Sequence, residues 1–112
     1  MSAELHLSAD RSALLDAVES LADRYRTMPQ SRLMGEVPGH PSRAAAGLAL
    51  ARELADAALA AAGEPPHVFP DAGPFAVGDQ IAVAGYEFAE EADEAQLSAA
   101  LAEVRAVLDL IT

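Results

Sequence analysis

Large apolar side chains recur at alternating steps of four and three in two stretches of this chain. Leu14, Val18, Leu21, Tyr25 and Met28 form one series; Leu97, Leu101, Val104, Leu108 and Ile111 form the other. Such steps return a side chain to one side of a 3.6-residue turn, so each series is a single helical stripe. A strand would need alternation by two. The chain must therefore supply helices that each bury one face, and the fold follows from how those faces are brought together.

The first stripe predicts a helix over 8–28. Ser8 or Asp10 can cap its start, and Pro29 marks its end, because the residue before a proline is pushed out of helical angles. The last stripe predicts a helix over 94–110, with Ala100 and Val107 widening its face. Between them, a second helix is expected over 42–62. Ser42 is its N-cap, and Gly63, followed by Pro65 and Pro66, is its natural stop. Leu48, Leu50, Leu54, Leu59 and many alanines occupy a wide arc of this helix, enough to meet two neighbours, while Arg52, Glu53 and Asp56 share its polar side. Two Pro/Gly-rich connections, 29–42 and 64–74, separate the elements. Leu33, Met34 and Val37 in the first, and Val68, Phe69 and Phe75 in or after the second, are the expected tethers to the core.

Residues 75–92, "FAVGDQIAVAGYEFAEEA", admit two readings. As a hairpin, Gly78-Asp79 would turn between short apolar runs. Alternation then fails at Ala82, Ala84 and Gly85, and a lone two-stranded hairpin is marginally stable. As a helix, Val77, Ile81, Ala84, Phe88 and Ala92 make another stripe, with Gly85 and Ala89 suited to close packing. The helix is the favoured reading. Tyr86 then points away from the apolar stripe.

The length of 112 residues suits one domain, spanning 1–112. Apolar residues are 52 % of the chain but aromatics only 4 %, which favours closely approaching Ala- and Leu-rich helices over a sheet. The expected fold is an all-α domain, an antiparallel up-and-down four-helix bundle with two long Pro/Gly-rich loops. The short link at Ala92-Asp93-Glu94 implies that the last two helices are neighbours.

A net charge of −11 repels phosphates and argues against nucleic-acid binding. All seven basic residues are arginine, so no lysine is present for Schiff-base chemistry. The absence of cysteine removes disulfides, thiolate metal sites and a cysteine nucleophile. The N-terminal "MSAELHLSAD" lacks a secretory pattern, and no run of 18 apolar residues exists, so a cytoplasmic protein without a membrane partner is expected.

Few residues sit in a pattern that chemistry would require. Carboxylates at helical spacing can hold a metal when they project inward. Most here lie opposite the apolar stripes; Glu53, Glu87 and Glu91 are the metal-ligand candidates, with Gln80 beside them at a groove. His6, His40 and His67 form no E-x-x-H or H-x-x-x-H pair. In the 31–43 loop, Arg32, His40 and Arg43 bring positive charge to the start of the second helix. That is a candidate site for an anionic ligand. No serine lies in a G-x-S-x-G elbow and no phosphate-binding glycine loop exists. No catalytic residue and no cofactor are indicated.

"EEADE" at 90–94 is similar to the E-E-x-x-E element of the all-α nucleotide pyrophosphohydrolases. That resemblance implies a metal-dependent enzyme. In that family an E-x-x-D follows on a later helix, whereas here Glu53 and Asp56 precede the element. "VGDQIAVAGYEF" and "LLDAVESLADRYRTMPQSRL" resemble small Ala-rich helical proteins of unknown function from high-GC bacteria. That resemblance covers about half the chain and implies a helical fold with no activity. The leading expectation is an acidic protein-interaction or accessory module, able to self-associate, rather than an enzyme. The alternatives are the pyrophosphohydrolase-like enzyme and the anion binder at 31–43.

Overall fold

The computed structural model describes residues 2–67 and 70–112, with side chains from Asp10 onward. Among the described residues five α-helices form: α1 (Ser2–Thr27), the single turn α2 (Gln30–Leu33), α3 (Arg43–Ala61), α4 (Val77–Glu91) and α5 (Glu94–Ile111). A 3-10 turn, Pro74–Ala76, leads into α4. Among the described residues there is no strand, only an isolated bridge between Val37 and His40. The helical reading of 75–92 therefore holds, and the hairpin does not.

The helix ends follow local chemistry. Ser42 Oγ accepts from Ala45 N at 3.0 Å and starts α3. At its other end Gly63 takes φ +74°, Gly63 N donates to Ala60 O and Glu64 N donates to Leu59 O, the paired bonds of a Schellman stop. Asp93 and Gln96 exchange side-chain to backbone hydrogen bonds, both 2.8 Å, in a capping box that starts α5. One boundary differs from expectation. α1 begins at Ser2, so Ser8 and Asp10 lie within it rather than at its start. No glycine or proline stands between residues 2 and 8 to stop the helix.

The stripes form the core. Leu14, Val18, Leu21, Tyr25 and Met28 are all buried, as are Val77, Ile81, Ala84, Phe88 and Ala92. On α5, Leu97, Ala100, Val104 and Ile111 are buried while Leu101 and Leu108 are only half-buried, so the inward face leans toward Ala100. Leu33 and Val37 fold back as expected, but Met34 is 54 % exposed. Phe75, expected as a tether, is 67 % exposed; Val68 and Phe69 lie outside the described residues.

Glycines set how closely helices approach. A methyl group on Gly78 would meet Ala22 O at 2.8 Å, and one on Gly85 would meet Val18 Cγ1 at 2.7 Å. These contacts, with Arg11 near Ala89, run α4 against α1 in opposite directions. Gly47 lies against Val77, and Leu54 and Ala57 lie near Phe88, so α3 and α4 run in the same direction. Arg43 meets Ile111 and Glu53 meets Glu103, so α5 opposes α3.

The principal packing pairs are α3 with α4, α1 with α4, α1 with α5, and α3 with α5. The cyclic order is thus α1, α4, α3, α5. This corrects the expected up-and-down order and the expectation that the last two helices are neighbours. Ala92 and Asp93 are extended (ψ 142° and 177°), and they carry the chain across the end of the helix cluster. α4 starts beside the beginning of α3, where Val77 lies against Gly47.

Candidate functional site

The arginines of the expected anion site do come together, around a helix end. Arg32 Nη2 and Arg43 Nε each donate to Ile111 O at 3.2 Å, and Arg43 Nη1 donates to Arg32 O at 3.2 Å. Ile111 closes α5, where backbone carbonyls lack helical partners and the dipole is negative. Arg11 does the same for α4, donating from Nε to Ala89 O at 2.8 Å. His40 does not join the two arginines at Ile111. It sits half-buried in the Val37–His40 turn and lines an open hollow with Glu36, Pro38 and Pro41.

The carboxylates do not gather as a metal site would require. Glu53, Glu87 and Glu91 are all exposed, and among the described residues no three His, Asp or Glu side chains are placed to hold a metal ion. Glu53 instead meets Glu103, across α3 and α5. Partial burial pushes the Glu103 carboxyl above its usual range, and the charge and hydrogen bond of Glu53 add to that. Residues 90–94 straddle the α4–α5 junction: Glu90 and Glu91 end α4, Ala92 and Asp93 are extended, and Glu94 opens α5. An E-E-x-x-E metal face needs one continuous helical turn, and this segment is not one.

Other polar side chains tie helices together. Arg26 Nε donates to Asp79 Oδ1 and its Nη1 to Asp23 Oδ1, both at 3.0 Å. Tyr86, 45 % exposed, shares a hydrogen bond with Glu19 that raises its hydroxyl pKa. His67 is exposed, and the side chain of His6 lies outside the described residues.

A second surface was not picked out as a site from the sequence. Between α3 and α4 an open groove of about 370 Å³ is lined by Ala55, Ala76, Asp79, Gln80, Val83, Ala84 and Glu87. On α4, Asp79, Gln80, Val83 and Glu87 fall on one stripe beside the buried one, and Ala84 belongs to its edge. Three of the lining residues are alanines, so the helices meet closely beneath, and no described residue fills the space above. Val83 is 60 % exposed, and Phe75 immediately precedes Ala76 of the lining. Gln80 Nε2 donates to Pro70 O at 3.0 Å, which fixes the amide because that carbonyl only accepts. Its Oε1 is buried with no partner among the described residues. The sequence signal was Val83, a large apolar residue off the Val77–Ile81–Ala84–Phe88 stripe.

Comparison with protein-family models, with curated proteins and with solved structures finds no significant match to this chain.

Proposed function

We propose that this chain is a protein-interaction module whose contact surface is the α3–α4 groove around Val83. The four long helices are read as a bundle with one long crossover, a rigid frame for that surface. The observation that carries the reading is an exposed valine over an alanine floor in an open groove. An apolar side chain held exposed in a concave, largely apolar surface favours contact with a partner. The reading assigns no catalytic chemistry.

Site-specific photo-crosslinking tests it. A benzophenone side chain at Val83 should give discrete protein adducts in the cells that carry the gene. The same group at Ala102, exposed on α5, should not. Equal labelling from both positions, or none from Val83, would overturn the reading.

A further inference from the structure

We propose that the occupant of this groove is a basic amphipathic helix of a partner protein, an inference that rests on the interaction reading above. Its apolar side would press one or two large side chains between Ala55, Val83 and Ala84, and its cationic side would face the rim. The groove runs between two helices and its volume of about 370 Å³ holds that much and little more. A helix laid in a groove places its anchors at steps of three and four along one face.

Charge selects the sign of the partner. Asp79 and Glu87 line the groove, and Asp56 is exposed on α3. Asp79 is partly neutralised by Arg26, but Glu87 has no ion pair among the described residues. A second copy of this chain would bring the same carboxylates and another −11 of net charge, so face-to-face self-pairing opposes like charges. A Lys- or Arg-bearing helix meets the opposite field.

The test uses the full chain and two synthetic helical peptides with the same leucine stripe, one with lysine and arginine on its polar face, the other with glutamate. Fluorescence anisotropy should show binding of the basic peptide, weakening with added salt, and none of the acidic one. The decisive variant is Val83→Asp. It makes the protein more negative, so diffuse attraction would strengthen, whereas docking in the groove should weaken by about tenfold or more. Val83 is exposed, so circular dichroism and thermal unfolding should be unchanged. Tighter or equal binding by Val83→Asp overturns the proposal, as does equal binding of the acidic peptide. So does a concentration-dependent dimer in sedimentation that Val83→Asp dissolves. A Val83 adduct in cells with an acidic partner would leave the interaction module standing and remove only the basic helix.

Discussion

Gly47 is the point where three helices leave no room for a methyl group. A Cβ there would lie 2.6 Å from Tyr25 Cζ and 2.6 Å from Val77 Cγ1. Tyr25 cannot yield easily, because its hydroxyl donates to Arg43 O at 2.6 Å and its ring is buried. Glycine to alanine inside a helix is otherwise stabilising by roughly 0.5–1 kcal/mol. Gly47→Ala should reverse that sign and destabilise by about 1–3 kcal/mol in urea unfolding. A stabilised variant would show that the junction has slack. The same tyrosine gives a pH dependence. Burial raises its pKa from 10.0 to about 12, opposed by the Gly47 hydrogen bond and the Arg43 charge. The protonated form is favoured in the fold, so its contribution is complete below pH 10.0 and is lost as pH rises toward about 12. Urea midpoints should fall through that window, and Tyr25→Phe should fall less steeply. Parallel profiles would remove Tyr25 as the cause. The burial of Tyr25 was legible from its place in the stripe. Its hydrogen bond to Arg43, across the α1–α3 connection, left no mark in the sequence.

Helix ends show why some elements were readable and the arginine site was not. Ser42, Gly63 and Asp93 act on backbone within a few residues, so type and position in the sequence were enough to place a cap or a stop. Arg11, Arg32 and Arg43 act on carbonyls 78, 79 and 68 residues away. Arg32 and Arg43 cluster in sequence near the start of α3, where with His40 they are expected to form a site for an outside anion. In the fold both arginines donate to the negative end of α5, which comes close only after the chain has folded. Arg43→Ala should therefore behave as a stability variant. It removes donors from Ile111 O and Arg32 O, and the loss should be about 1–3 kcal/mol, with an unchanged urea slope. Wild-type stability in this variant would mean that the guanidinium is held loosely and is available to a ligand. The groove was hidden for a related reason. Val83 could be seen to leave the stripe of α4, but not that Ala55 of α3 stands opposite.

The arrangement of the whole molecule turned on a length that sequence patterns measure poorly. Stripes, caps and breaks placed the four long helices, yet they carry no direction, and a loop of given composition can turn back or travel. α3 has 19 residues, so a chain leaving its end must cover about 28 Å to return to its beginning. Residues 62–76, at about 3.3 Å each when extended, span that distance with slack. This is why α3 and α4 run in the same direction and why α5, rather than α4, crosses from one end to the other opposite α3. The order is open to a clean chemical test because the chain has no cysteine. Glu53 and Glu103 face each other between α3 and α5, their carboxyls within hydrogen-bonding reach. In an up-and-down bundle α3 and α5 would be diagonal, with α4 between them in the chain's circuit. Glu53→Cys with Glu103→Cys should therefore close rapidly with a short bismaleimide or under mild oxidation. Both positions are exposed, and the substitution removes two like charges, so folding should not suffer. A control pair, Glu53→Cys with Asp23→Cys, joins diagonal helices from exposed outer faces and should stay open under the same conditions. Closure of the control, or failure of the 53–103 pair in a folded protein, would replace the cyclic order α1, α4, α3, α5 with another.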